Sequence, residues 1–429
     1  MNVLKTNNTK EKVRKLQRKL YQSAKVNSNR KFHALYDKIY RIDTLEEAWN
    51  KVKSNKGSAG IDKQTISYIE TLGVDMVLKE LQNDLMSGSY NPSAVNRTEI
   101  PKGKNATRPL GIPTVRDRII QTATKIVIEP IFEADFKDNS FGFRPKRNQH
   151  QALEVIKRAC NNKGNYVLDA DIKGYFNNIN HDKLMLLLEK RISDKRVLKL
   201  VRKWLKAGIM IDGVKVDSEV GAPQGSSISP LLSNLYLNYL DTIWERHYSH
   251  LGTLVRFADD FVIICKNKKS IDHSLAVIHE VMRRLDLQLN VEKTKIVNLW
   301  GGKEGFTFLG YHHRKTRKLT RTGREYYTIE RWICKEKRDR IKDVVRDVTD
   351  KSKGFWDLEA MIKMLNLKIV GWRNYYGLSP VRVLRKMDNF IRHRLILWYN
   401  KKRKRRKLHK YYDLWRLLYS KGLKRLVVF

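Results

Sequence analysis

The sequence predicts a folded α+β protein, and three observations lead there. Of its 429 residues, 41% are hydrophobic and 10% aromatic, enough for a large core and too apolar for a disordered basic tail. Helical periodicity dominates both ends of the chain, while the middle carries short apolar strands broken by tight turns. Against 45 Asp and Glu stand 87 Lys and Arg, a net charge of +42, so the folded body attracts polyanions over long range. Nucleic acid is the expected partner, ahead of an anionic membrane surface. At roughly 150 residues per domain the length suggests about three domains.

Read in order, residues 1–43 are basic and polar, with helical stretches EKVRKLQRKLYQ and RKFHALYDKIY around a loop SAKVNSN. The segment Thr44-Leu-Glu-Glu47 has the pattern of a capping box opening a helix whose buried face includes Trp49 and Val52, with Gly57 as its stop. A helix is expected over 74–87. Residues 97–114 read as a β-hairpin with prolines at its strand ends and a basic tip from Lys102 to Thr107. RDRIIQTATKIVIEPIFE is helical up to Pro130. NYVLDADI alternates, with Val167, Asp169 and Asp171 on one face and Tyr166, Leu168, Ala170 and Ile172 on the other. Helices follow from 181 to 207, then a loop over 220–230 and a buried helix LLSNLYLNYLDTIW. LVRFADDFVIIC reads as two apolar strands around a turn holding two aspartates. A helix near 270–285 and a strand pair near 306–311 come next, and beyond about 315 the chain is expected to be helical, basic and aromatic.

Cys160, Cys265 and Cys334 are far apart and form no CxxC, so neither a disulfide scaffold nor a zinc ribbon is expected. The N-terminus has no apolar signal region, and no uncharged apolar run approaches the length of a membrane span. A cytosolic protein without a membrane partner is expected.

Aspartates on apolar strands are costly to bury, and this chain places them there twice, in DADI and in FADD. Adjacent carboxylates at a hairpin tip repel each other, and a divalent cation between them offsets the repulsion. Oxygen ligands of this kind suit Mg²⁺, which keeps several waters and also binds substrate phosphates.

The surrounding segments occur in one order: YVLDADIKGYF, GAPQGSSISPLLSNLYL, RFADDFVII, LNVEKTKI and FTFLGY, preceded by RPLGIPTVRDR and FGFRP. In these blocks the chain resembles the bacterial group II intron-encoded reverse transcriptases and maturases, from about residue 44 to residue 400. The resemblance implies an α+β right-hand polymerase. Its parts would be a basic helical extension over 1–43, fingers mainly over 44–164, a palm over 165–315, a helical thumb or maturase domain over 316–400, and a basic DNA-binding tail over 401–429. It implies an RNA-directed DNA polymerase that uses two Mg²⁺ ions, with Mn²⁺ as a substitute, and also binds its intron RNA to assist splicing and retrohoming. Its partners would be intron RNA, an RNA template with a DNA or RNA primer, target DNA and dNTPs, in a bacterial cytosol.

The alternation alone leaves Asp169 and Asp171 open as the first catalytic carboxylate; the DIKGYF motif of similar enzymes selects Asp171, with the Ile172 carbonyl as a further metal ligand. Asp259 and Asp260 complete the triad. Phe257 stands where the family usually has Tyr, which leaves the metal ligands intact but puts any tyrosine-specific contact to the primer in doubt. By the same resemblance Phe176 is the gate against a 2′-hydroxyl, Lys102 and Arg108 hold the triphosphate, and Gln224 lines the nucleotide or template pocket. Lys293 is the candidate acid for the leaving pyrophosphate, and Phe308, Leu309, Gly310 and Tyr311 form the hairpin that grips the primer end. GWRNYYG looks like the maturase domain, with Trp372, Arg373, Tyr375 and Tyr376 as candidates for stacking on RNA. The run Lys401, Lys402, Arg403, Lys404, Arg405, Arg406 and Lys407 is expected to meet phosphates. No Cys or His cluster follows it, so the zinc-containing nuclease domain of many relatives is not expected. Two other readings share these motifs: a maturase with a vestigial polymerase, and a reverse transcriptase domesticated for phage defence or a CRISPR array. The intact triad speaks against the first, and GWRNYYG with the intron-type fingers against the second.

Overall fold

The computed structural model describes residues 2–101, 107–211, 214–216, 220–221, 225–402 and 411–427. The chain divides into two compact units, one of residues 1–156 with 170–295 and the other of 157–169 with 296–429. All three cysteines are buried and free, and no described helix is long and apolar enough to cross a membrane.

The first unit is built around the buried helix Val115–Glu133. Against it lie the helices Asn2–Val26 and Ile42–Ser54. Val13, Leu16, Leu20 and Ala24 recur at helical spacing and are buried, while Lys10, Lys12, Arg14, Lys15, Arg18 and Lys19 stand exposed on the rest of that first helix. The central helix does not stop at Pro130. Proline removes the N–H that would bond the carbonyl four residues back, and that carbonyl, of Ile126, instead accepts the Gln17 Nε2 amide at 3.1 Å. With its orphan satisfied from outside, the helix continues to Glu133.

The capping box at Thr44 does not form. The helix begins at Ile42 behind Arg41, without a side-chain cap, and Thr44 is buried with its hydroxyl unpartnered. The helix Val74–Ser87 has the expected limits. The hairpin expected over 97–114 forms two residues earlier, from Val95–Pro101 and Thr107–Ile112, and Ile209–Ile211 and Val214–Val216 add two short strands to it. Helices His181–Glu189, Lys195–Leu205, Ser229–Ile243 and Lys268–Arg284 complete the unit around the hairpin Gly252–Phe257 and Asp260–Cys265.

The second unit opens with a correction. The chain does not turn helical at 315. Tyr311–Leu319 and Glu325–Ile333 run on as long antiparallel strands beside Gly305–Phe308, and helices begin only at Lys335. Cations on the exposed ends of these strands mask the alternation, while a continuous run of direct pairs, from Tyr311 with Ile333 to Leu319 with Glu325, sets the register. Helices Lys335–Val348, Leu358–Tyr376, Val381–Lys402 and Tyr411–Ser420 follow.

His313, wholly buried on the middle strand, stacks on Phe306 at 4.9 Å, and neither ring nitrogen has a hydrogen-bond partner. Burial, with Arg331 and His312 nearby, lowers its pKa from 6.5 to about 3, so the folded state holds it neutral. The unfolded chain takes up the proton first as pH falls, so this contribution to stability is full above about pH 6.5 and is lost on the way to pH 3. Urea unfolding should therefore show a loss of about 2 kcal/mol between pH 7 and pH 5 that His313→Leu removes. An equal slope in the variant would clear His313 of the effect.

Candidate active site

The aspartate pair lies in the first unit, at the tip of a hairpin with a two-residue turn, Ala258–Asp259, closed by the pair Phe257 and Asp260. Ala258 has φ +59°, a left-handed conformation that a tight hairpin turn demands and that usually selects glycine. The strand behind, Phe261 to Cys265, is buried, whereas Asp259 is half-buried and Asp260 exposed. The fold thus pushes both carboxylates to the edge of an apolar strand, where ions and water reach them.

A fully buried arginine one residue before Phe257 fixes this turn. Arg256 donates through Nη1 to the Ala258 carbonyl at 2.8 Å and to Asn234 Oδ1 at 3.0 Å. Its Nε lies 3.0 and 3.1 Å from the Asp241 carboxylate oxygens, and Nη2 completes that ion pair with both side chains at zero exposure. Asn139 donates to Asp241 Oδ1 at 3.3 Å, and the Arg256 backbone bonds Asn139 and Phe141 on either side. Gly142 then presses on the turn: a Cβ there would lie 2.3 Å from the Ala258 nitrogen, and its carbonyl accepts Asn234 Nδ2 at 2.8 Å. The helix Ser229–Ile243, the FGFRP segment and the aspartate turn are one hydrogen-bonded assembly. Sequence reasoning missed Arg256, Asp241 and Asn234. The available signal was an arginine inside an apolar strand, a charge that needs a buried counterion.

Asp171 lies just past its strand, which ends at Ala170. Burial alternates as expected from Leu168 to Ile172, with Asp169 and Asp171 half-buried between covered residues, and departs from the pattern at Tyr166 and Val167. The Asp171 carbonyl accepts the Asn290 N–H at 2.7 Å, Lys173 N–H bonds the Gln288 carbonyl at 2.9 Å, and Ile172 bridges Leu289. The LNVEKT segment is thereby strapped along DIKG, and Lys293 Nζ reaches Asp171 Oδ2 at 3.2 Å with both side chains open to water. Tyr175 ties this segment to the helix Ser229–Ile243, whose Asn234 and Asp241 hold Arg256. Its hydroxyl donates to the Ser233 carbonyl at 2.7 Å, and burial raises its pKa, with Arg256 lowering it and Asp259 raising it further.

Among the described residues no three His, Cys, Asp or Glu side chains are gathered as around a bound ion. The donor chemistry nevertheless fits a hard divalent cation: the candidate ligands offer oxygen only, and a solvent-accessible ammonium already sits on Asp171.

Phe176 is 7% exposed and meets Tyr175 edge-on at 5.3 Å. Gln224 lies outside the described residues, but both flanks of its loop are anchored. Gly221 has φ +97° and its carbonyl bonds His181 Nε2 at 2.6 Å; Gly225 has φ +112° and approaches the Gly111 carbonyl so closely that a Cβ would lie 2.6 Å away. Ser226 and Ser227 both donate to Gln121 Oε1. Gly225 is therefore set beside the strand that carries Arg108. Lys102 also lies outside the described residues, and Arg108 is described only as backbone of the strand Thr107–Ile112.

In the second unit Phe308 and Tyr311 are buried, leaving the turn Leu309–Gly310 at the tip, both with positive φ. Tyr375 and Tyr376, candidates for RNA stacking, meet this turn through their hydroxyls. Tyr375 donates its hydroxyl to the Leu309 carbonyl at 3.1 Å, Tyr311 donates to the Tyr375 carbonyl at 2.6 Å, and the Tyr376 hydroxyl closes on Gly310. Trp372 and Arg373 are half-buried on the same helix. Lys401 and Lys402 are exposed at the end of the helix Val381–Lys402, and 403–407 lie outside the described residues.

Residues 100–313 match the family described as reverse transcriptase (RNA-dependent DNA polymerase), and 338–417 match the group II intron maturase-specific domain. Protein YkfC of Escherichia coli K12 is 34% identical over 353 residues, covering 72% of this chain and 90% of that protein. The group II intron-encoded protein LtrA of Lactococcus lactis subsp. cremoris is 29% identical over 455 residues, covering 84% and 73%. A chain of a partial Cas6-RT-Cas1–Cas2 complex aligns with a TM-score of 0.38 and 23% identity over 58% of this chain and 42% of that one.

Proposed function

The chain belongs to the group II intron reverse transcriptase–maturase family, and on that premise we propose that its RNA-directed DNA polymerase works through Asp171, Asp259 and Asp260. The observation that carries this reading is the aspartate turn, held at the water-accessible edge of a buried strand by Arg256, whose partner helix also receives the Tyr175 hydroxyl from the segment after Asp171. The three carboxylates, with the Ile172 carbonyl, would hold two Mg²⁺ ions, or Mn²⁺ in their place. When bound, the metal supplies acidification of the primer 3′-hydroxyl and neutralises charge on the leaving pyrophosphate.

The chain's own residues do the rest. Lys293 keeps a proton at Nζ beside Asp171 and delivers it to the leaving pyrophosphate. Lys102 and Arg108 neutralise the triphosphate, and Gln224 lines the nucleotide or template pocket. Leu309 and Gly310 offer the primer a rigid turn braced by Tyr375 and Tyr376. The cations of 401–407 hold phosphates of target DNA, and the maturase domain binds intron RNA to assist splicing and retrohoming in a bacterial cytosol.

Extension of a primer on an RNA template, with a parallel splicing assay of the cognate intron, tests the reading. Absence of any extension at saturating dNTP would sink the polymerase part, whatever the splicing result. Phe176 gives a sharper expectation. Its ring is packed against Tyr175, so truncation opens space without exposing a polar group. Phe176→Val should raise the ratio of ribonucleotide to deoxynucleotide incorporation efficiency by at least about tenfold, the lower end for a group admitted to a shaped pocket. An unchanged ratio in an active variant would move the gate elsewhere.

A further inference from the structure

Phe143 has no part in the chemistry above, yet the fold holds it in a costly posture. It is a non-glycine residue at φ +57°, and its side chain is a phenyl ring left 50% exposed. A bulky residue in the left-handed region is strained, and an exposed ring gains little burial in return. Among the described residues it takes part in no aromatic or cation–π contact.

Its neighbours are fixed on both sides. Gly142 lies against the Ala258 nitrogen, and Phe141 N–H bonds the Arg256 carbonyl at 2.9 Å. Arg144, 7% exposed, is pinned by Glu133 at 2.7 Å and by the Lys137 and Ser140 carbonyls at 2.5 and 2.7 Å, and it covers Phe136. Arg147 pairs with Asp138 and lies over Phe141 at 5.6 Å. Between these anchors the loop has one way to go, and it presents Phe143 to solvent one residue beyond the contact with the aspartate turn. Lys146, also left-handed at φ +61° and exposed, adds a cation to the same loop.

We propose that the Phe143 ring is a preset stacking platform for a nucleobase at the mouth of the polymerase site, with Lys146 beside it for the adjoining phosphate. An aromatic face accepts any base, as copying of arbitrary sequence requires, and a ring carried on an anchored backbone has less freedom to lose on binding. The base belongs either to the template strand or to the incoming nucleotide. The inference rests on the polymerase reading of the neighbouring aspartates.

The test compares the full-length protein with Phe143→Gly, which removes both ring and strain, and with Phe143→Trp, which keeps a stacking face. Three quantities are read: thermal unfolding midpoint, Kd for a fluorescent RNA-template primer, and KM with kcat for single-nucleotide incorporation. Phe143→Gly should unfold no earlier than wild type. One affinity should weaken by about 5- to 150-fold, the range for base–aromatic stacking, with kcat nearly unchanged and Phe143→Trp close to wild type. A raised primer–template Kd assigns the template base, and a raised KM for dNTP assigns the incoming one. Unchanged Kd and KM overturn the proposal, as does a lower unfolding midpoint in Phe143→Gly with both affinities intact, which makes the ring structural. A wild-type protein that binds primer–template but never extends it would break the polymerase reading instead, leaving the Kd comparison to decide the ring.

Discussion

Asp259→Asn is expected to lower RNA-templated DNA synthesis by at least about 1,000-fold while leaving RNA binding nearly intact. The substitution keeps the volume of the side chain and the turn that carries it, since the anchors of that turn are the Ala258 carbonyl and the Gly142 contact. What it removes is one negative charge at the point where metal charge must be balanced. Several kcal/mol of transition-state stabilisation are at stake, and each 1.4 kcal/mol is about tenfold in rate. Primer extension and a filter-binding titration on one preparation measure both quantities, and synthesis near the wild-type rate would remove Asp259 from the metal site. The variant should still assist splicing, because folding an RNA needs binding and not polymerisation.

The second large effect is expected at Asp241, which touches no substrate. Asp241→Asn leaves the Arg256 guanidinium fully buried without its counterion. Breaking a buried pair from one side costs about 3–5 kcal/mol, and that loss should appear directly in urea unfolding of the first unit. The double replacement Arg256→Met with Asp241→Leu separates stability from positioning. An apolar pair of similar volume should recover most of the stability. It cannot restore the bond from Nη1 to the Ala258 carbonyl, so nucleotide incorporation should stay depressed by about 10- to 100-fold, as for a misplaced catalytic group. A double variant with full activity would show that Gly142 and the strand pairing hold the turn unaided.

The motifs were legible because their chemistry is written in adjacent residues. FADD announces a two-residue turn between apolar strands, and that turn is present at Ala258–Asp259. The helix at 74–87 and the hairpin near 97–114 rested on local periodicity, which the fold respects. The failures have a shared cause, namely partners distant in the chain. Pro130 reads as a helix stop until Gln17, more than a hundred residues earlier, supplies the missing donor. The strands after 315 carry so many cations that their alternation is invisible without the neighbouring strand. Nothing local to Tyr375 and Tyr376 reveals that the turn at Leu309 receives their hydroxyls. The Arg256 clamp joins three segments and so has no signature in any one of them.

The bond between Gln17 and the Ile126 carbonyl also bears on how the chain is made. The two groups are 109 residues apart, and the ribosome adds about 5–20 residues each second, so the first helix waits roughly 5–20 s for its partner. For that interval the apolar stripe of Val13, Leu16, Leu20 and Ala24 has only the helix Ile42–Ser54 to cover it, on a helix whose exposed side is rich in Lys and Arg. Those cations discourage two nascent chains from pairing by their stripes, so the charge of this helix protects it during synthesis before it serves any nucleic acid. Neutralising Lys12, Arg14, Lys15, Arg18 and Lys19 therefore stands to harm the yield of soluble protein more than the stability of the finished fold.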